Sequence, residues 1–340
     1  MSASFNIAIA GATGAVGKEM INILQQRQFP IKTLYPLASE RSLGKTINFN
    51  GDDIPVQNLA TFDFSQAQIA LFSAGGSVSA EFAPLAAAAD CVVIDNSSQF
   101  RYQDHIPLVV PEVNPDAIAD YKSSKIIANP NCSTIQLLVA LKPLHDVATI
   151  KRINVATYQA VSGAGNTGIE ELAQQTAACL SGAETTAKCF SSRIAFNVIP
   201  HIDTFQDNGY TREEMKMVWE THKIMGDDSI MVNPTAARVP VFFGHSEAVH
   251  IETKDPLSAE KAREILADAP GVCVIDEHAD GGYPMPSEHA AGNDDVFVGR
   301  IRNDLNLANG LNLWVVSDNV RKGAALNAVQ IAEILAAKYI

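Results

Sequence analysis

A short apolar run, Asn6 to Gly11, passes directly into Gly11-Ala12-Thr13-Gly14-Ala15-Val16-Gly17, and from Ala15 to Arg27 the apolar residues Val16, Met20, Ile23 and Leu24 recur at helical spacing. This strand, glycine turn and helix constrain the fold more than any other feature of the chain. Small residues at such a turn let backbone N–H groups approach a pyrophosphate at the helix N-terminus, which makes Gly11, Thr13, Gly14, Ala15 and Val16 the expected cofactor-binding positions. A tight turn without a ligand asks for the same residues, so the surrounding pattern has to decide. Further strands are expected at Thr33 to Leu37, Ile69 to Ala74, Cys91 to Asp95 and Lys125 to Ala128, with an alanine-rich helix from Ser79 to Ala89. Strands alternating with helices imply an α/β, Rossmann-type domain built on a parallel, doubly wound sheet.

After about residue 132 the pattern changes. Longer strands are expected at Ile150 to Val161, Val239 to Glu252, Gly271 to Asp276, Asp295 to Ile301 and Leu311 to Val316, separated by uneven helical stretches, as in an α+β domain. The final segment, Val320 to Ile340, carries Ala324, Ala328, Ile331, Ile334 and Leu335 on one face, and so apolar a helix is expected to dock back on the first domain. The boundaries are therefore 1–131 plus 319–340 for a dinucleotide-binding domain, and 132–318 for a second domain. A length of 340 residues suits two domains.

Thirty-eight acidic against 25 basic residues give a net charge of −13, a poor basis for holding nucleic acid or anionic lipid, so any anionic ligand must be bound locally. No apolar run approaches the roughly 20 residues of a membrane helix. The N-terminus has no basic stretch before its apolar segment and reads as a first strand, not a signal peptide. Five cysteines at irregular spacing, with no CxxC pair, suggest reduced thiols in a cytoplasm and no metal site.

The turn after the second strand reads Ala38-Ser39-Glu40-Arg41-Ser42-Leu43-Gly44-Lys45. Ser39, Arg41 and Ser42 favour the 2′-phosphate of NADP, while Glu40 in the same turn keeps an NAD preference open. Farther on, Asn129-Pro130-Asn131-Cys132-Ser133-Thr134 opens the apolar helix Ile135 to Leu144. A thiol at a helix N-terminus is favoured as thiolate, the form a nucleophile requires. Cys91, Cys179, Cys189 and Cys273 read as small buried core residues. Tyr121-Lys122-Ser123-Ser124-Lys125 spells the Tyr/Lys pair of short-chain carbonyl reductases, but Lys125 adjoins an apolar strand pattern and Pro130, not the interior of a helix.

Taken in order, GATGAVG, NSSQFR, NPNCST, YQAVSGAG, REEMK, RVPVFFGHSEAV and GAALNAVQIAE resemble the bacterial-type aspartate-semialdehyde dehydrogenases from end to end. The resemblance implies a glyceraldehyde-phosphate-dehydrogenase-like pairing of a Rossmann-type domain with an α+β catalytic and dimerisation domain. It also implies a homodimer that reduces β-aspartyl phosphate to the semialdehyde with NADPH, reversibly, releasing phosphate in aspartate-family amino-acid biosynthesis. On this resemblance Cys132 forms an acyl-thioester, His245 moves the proton, and Gln159 orients the acyl group. Arg238 forks the substrate carboxylate, Glu213 takes its ammonium, and Arg101 with Lys216 holds phosphate. Ser162, Gly163 and Asn319 lie where the family contacts the nicotinamide half of the cofactor. Strand alternation sends His245 and His250 to opposite faces, so only one of them can serve the site. A longer acyl substrate, or a non-catalytic dinucleotide sensor on the same frame, is the competing reading.

Overall fold

The computed structural model describes residues 4–340. It divides into two compact units, Met1–Asn131 with Ala324–Ile340, and Cys132–Gly323. The break falls at 323/324, not at the expected 318/319, so Asn319 belongs to the second unit.

In the first unit the elements run β1 (Phe5–Ala10), α1 (Ala15–Gln26), β2 (Ile31–Ala38), the hairpin β3 (Thr46–Phe49) and β4 (Asp52–Pro55), and β5 (Gln57–Asn58). Then follow β6 (Ile69–Phe72), α2 (Gly76–Ala88), β7 (Val92–Asp95) and β8 (Ile126–Ala128). Six strands make one parallel sheet in the order β5-β2-β1-β6-β7-β8. Because β6 and β7 are buried throughout, their sequences show no alternation, β6 being apolar from end to end and β7 apolar up to its last residue, Asp95. Strand order reverses at β1, which makes the carboxyl end of β1 the switch point where ligands bind in open α/β sheets. The C-terminal helix, Leu326–Lys338, completes this core: Leu326, Val329, Ile331 and Leu335 cluster with Ile7, Ile9, Met20 and Leu24.

The second unit contains α3 (Cys132–Ala148), β9 (Ile150–Gln159), α4 (Asn166–Ser181), α5 (Arg212–Met225), β10 (Met231–Arg238) and β11 (His245–Thr253). It continues with α6 (Ala259–Ala267), β12 (Val272–Val274), β13 (Val296–Asn303) and β14 (Gly310–Ser317). Its sheet is mixed, in the order β10-β9-β11-β14-β13-β12, and α3, flanked by α5 and α6, packs on it. The strand expected from Val239 to Glu252 is interrupted. Residues Val239 to Gly244 form a turn that contains Pro240 and ends with Gly244 at φ +90°, and the strand proper begins at His245. β10 was not foreseen; MVNPTAAR has no strand-like alternation, and its Pro234 is tolerated because β10 is an edge strand.

Candidate active site

The glycine turn sits at the switch point of the first sheet. Gly11 adopts φ +88°, and a Cβ there would collide with the carbonyl of Ser73, so no other residue fits without displacing the β6 end. Gly11 N and Ala12 N both donate to Leu37 O, at 2.9 and 3.1 Å, fastening the turn to β2. Gly14 is the N-cap of α1 and offers no side-chain cap, which leaves the helix's first N–H groups to be satisfied by something other than a capping side chain. Thr13 Oγ1 lies 3.4 Å from Ser42 Oγ, linking the turn to the short 3-10 turn Glu40–Ser42, where Ser39, Glu40 and Arg41 are all exposed. A helix start uncapped by any side chain, with an exposed cation beside it, fits a nicotinamide dinucleotide.

Arg101 also belongs to the first unit. It is buried and donates through Nε to Asn129 O at 2.9 Å and through Nη2 to Asn96 O at 2.8 Å, so carbonyls of two loops aim its guanidinium. Asp95, buried beneath the same loop, has its carboxyl held above the ordinary range by burial, against the opposing effect of Ser79, Ser97 and Arg101.

The second unit brings most of the remaining expected residues into one hydrogen-bonded cluster. Cys132 is the first residue of α3. Gln159, at the end of β9, donates through Nε2 to Ser133 Oγ at 3.0 Å and to Glu213 Oε1 at 3.1 Å. Glu213 Oε2 in turn accepts from Lys216 Nζ at 2.9 Å, one turn along α5, a helix begun by the Thr211/Glu214 capping box. Lys216 does not project into water. Its side chain is 13% exposed and donates also to Asp203 at 2.9 Å. Burial works against its charge, but the two carboxylates outweigh that and hold its pKa above the usual lysine value.

Arg238 ends β10, is buried, and donates Nη1 to Ala160 O at 2.8 Å while lying over the Phe190 ring. Among the described residues no carboxylate hydrogen-bonds to it, in contrast to Lys216. It lines a cavity of about 190 Å³ with Phe190, His201 and Asp203. Gly163 is packed against it: a Cβ there would stand 2.8 Å from Arg238 Nη1 and 3.5 Å from His245 Nε2. Ser162 and Asn319 pair through their side chains at 2.9 Å, and Asn319 Oδ1 accepts from Gly244 N at 3.0 Å, closing the turn that delivers His245.

His245 is fully buried, and its Nδ1 accepts the Ala160 N–H at 3.0 Å. The neutral ring therefore carries its proton on Nε2. Burial, with a smaller effect of Arg238 and against Glu213, pushes its pKa down to about 3. The resemblance gives His245 the task of moving the proton. With the Nδ1 lone pair taken by the Ala160 N–H, Nε2 is the ring atom left without a partner among the described residues. His250 faces the opposite side of the sheet, bound to Asn154 and Asp304.

One sequence reading is corrected, that of the cysteines, while the rejection of a Tyr121/Lys125 pair stands. Cys189 is exposed, not a core residue, and Cys179 and Cys273 are only partly buried; Cys91 alone is deeply buried, its thiol pushed up to about 12 by burial and Asp90. The Tyr121/Lys125 pair is taken up elsewhere, Tyr121 Oη donating to Tyr339 O and Lys125 pairing with Asp90. Asp203, Ser133 and the Ala160 backbone were missed as parts of the cluster. Asp203 lies in a loop 13 residues before Lys216, and a backbone N–H leaves no mark in a sequence. Among the described residues no cluster of His, Cys, Asp and Glu is arranged to hold a metal, and no helix is long and apolar enough to cross a membrane.

Residues 6–121 match the family described as semialdehyde dehydrogenase, NAD binding domain, and residues 141–322 match semialdehyde dehydrogenase, dimerisation domain. The chain is 60% identical over 340 residues to an aspartate-semialdehyde dehydrogenase of Legionella pneumophila, covering 100% of this chain and 98% of that one. Among solved structures it resembles aspartate semialdehyde dehydrogenase II of Vibrio cholerae complexed with ASA, at 60% identity and a TM-score of 0.98, with all of both chains covered. An aspartate semialdehyde dehydrogenase with NADP from Candida albicans gives 26% identity and a TM-score of 0.76 over 98% of each chain. With both domain families and full-length relatives in agreement, the chain belongs to the aspartate-semialdehyde dehydrogenases, a family of oxidoreductases.

Proposed function

We propose that this enzyme reduces β-aspartyl phosphate to aspartate β-semialdehyde with NADPH, reversibly and with release of phosphate, in aspartate-family amino-acid biosynthesis. The observation that carries this reading is the buried cluster behind Cys132. It joins a sulfur at a helix start, an amide held by Ser133 and Glu213, a neutral imidazole N–H, and an arginine with no carboxylate partner among the described residues.

In the reductive direction the Cys132 sulfur attacks the acyl carbon, the bond to the phosphate oxygen breaks, and an acyl-thioester remains on the enzyme. The helix start favours the negative charge the sulfur needs. Gln159, fixed by Ser133 and Glu213, orients the acyl group. Arg238 is the fork for the α-carboxylate, because its guanidinium is not already engaged by Glu213 or Asp203. Glu213 suits the substrate ammonium; Lys216, already neutralised by two carboxylates, exchanges one of them for phosphate; and Arg101 is the first unit's phosphate-binding residue. NADPH supplies the hydride when bound, held by Gly11, Thr13, Gly14, Ala15 and Val16 at its pyrophosphate and by Ser39, Arg41 and Ser42 at its 2′-phosphate. Ser162, Gly163 and Asn319 serve its nicotinamide end. His245 donates its Nε2–H to the oxygen on which charge develops, and the C–S bond breaks as the aldehyde leaves. The working form is a cytoplasmic homodimer.

The test is to incubate the enzyme with aspartate semialdehyde and NADP without phosphate and map the acyl adduct by mass. The adduct is expected on Cys132, and Cys132→Ser should lose at least about 10³-fold in turnover while still binding cofactor. A Cys132→Ser variant that turns over normally refutes the mechanism.

A further inference from the structure

Glu247 lies two residues beyond His245 on the same face of β11, where its neighbours across the sheet are Thr157 of β9 and Val315 of β14. It is fully buried. The polar side chain beside its carboxyl is Gln136 of α3, which stands one turn beyond Cys132 and donates Nε2 to His245 O at 3.5 Å. Neither Glu247 oxygen has a partner of full hydrogen-bond geometry among the described residues, the Gln136 amide N–H being the polar group that weakly engages the carboxyl. Gln136, Thr157 and Val315 carry no charge, and His245 on the same strand is neutral. A carboxylate buried with one weak amide contact and no cation beside it is an unpaired charge, a cost that the protonated acid avoids.

We propose that Glu247 is a positioning residue, kept as the carboxylic acid, that packs against the Gln136 amide so that Gln136 ties the helix opened by Cys132 to the strand opened by His245. The connection runs from acid to amide to backbone carbonyl and spans the two elements whose ends carry the sulfur and the imidazole. Burial, opposed only by Gln136, holds the carboxyl well above its ordinary pKa, in keeping with this arrangement. None of the residues assigned to the substrate hydrogen-bonds to it.

The inference rests on reading Cys132 and His245 as the reacting pair, and its test separates the two. Infrared spectra of the natural chain and Glu247→Gln at pH 8 are compared, where ordinary carboxylates are ionised. The natural chain should show a protonated-carboxyl stretch that the variant lacks. Glu247→Leu should lower kcat by about 10²-fold, the scale of a small misalignment, with KM for semialdehyde nearly unchanged, and Glu247→Gln should recover most of that loss. An absent band overturns the proposal, as does an unaltered kcat in Glu247→Leu or an equal loss in Glu247→Gln. If Glu247→Leu does not fold, the band and the Glu247→Gln rate decide. None of these outcomes bears on Cys132→Ser, whose turnover tests the underlying reading by itself.

Discussion

The two units solve recognition in opposite ways. At the carboxyl end of β1 the first unit offers backbone N–H groups, with exposed side chains at Ser39 and Arg41 that touch little of the protein. In the second unit almost every polar side chain near Cys132 is buried and already bonded to another: Gln159 to Glu213, Glu213 to Lys216, Lys216 to Asp203, and Ser162 to Asn319. The comparison teaches where substitutions should hurt. A backbone cradle with exposed helpers loses one contact at a time, whereas a mutually neutralised buried cluster loses its partners' alignment along with the altered residue.

That contrast breaks most visibly at His245. His245→Asn should lower kcat by about 10² to 10⁴ with KM largely unchanged, the scale for losing a proton donor or its equivalent, while His250→Asn should leave steady-state kinetics near normal. Equal effects would mean that the two faces of β11 are not distinct. The ring's depressed pKa adds a stability signature. The unfolded chain takes up this proton below about pH 6.5, while the folded ring does so only near 3, so stability from this group is complete above 6.5 and falls as the pH drops through that window. Denaturant titrations of His245→Asn should show a shallower acid loss. No activity limb near pH 6.5 should arise from this residue.

The two arginines sharpen the comparison at intermediate size, since one comes from each unit. Arg101→Leu should raise KM for phosphate, and a lost charge-assisted contact of about 1.5 to 3 kcal/mol corresponds to roughly 10- to 150-fold. Arg238→Leu should act instead on semialdehyde, and Arg238→Lys should restore only part because an ammonium cannot form the fork. Kinetics with both substrates varied would expose a reversed assignment. The smallest effect is expected at exposed Arg41: Arg41→Ala should weaken NADP by about tenfold, one charge-assisted contact, and NAD hardly at all. Equal losses would instead give Glu40 the deciding part.

What could be read from the chain follows the same division. The glycine turn is legible because the conformation at Gly11 excludes other residues, and the parallel strands are legible because burial on both sides demands unbroken apolar runs. β10 is hidden because MVNPTAAR lacks alternation, and the apolar run from Val239 masks the break that Pro240 and Gly244 impose before His245. The titration of His245 is illegible for a different reason. A histidine's ordinary value says nothing of the burial and the Ala160 N–H that the turn before β11 imposes, and Cys189 was misplaced because hydrophobicity alone does not reveal which cysteine faces out.

The first unit's core is closed by a helix that the ribosome makes only after residues 132–323 have emerged. At 5 to 20 residues per second those intervening residues take roughly 10 to 40 s. During that interval the nascent nucleotide-binding unit lacks Leu326, Val329, Ile331 and Leu335, and the apolar surfaces of Ile7, Ile9, Met20 and Leu24 wait for them. The order of synthesis thus makes the earliest segment the last to finish folding, and a chain stalled in its second half presents an open, sticky sheet to the cell's chaperones and proteases.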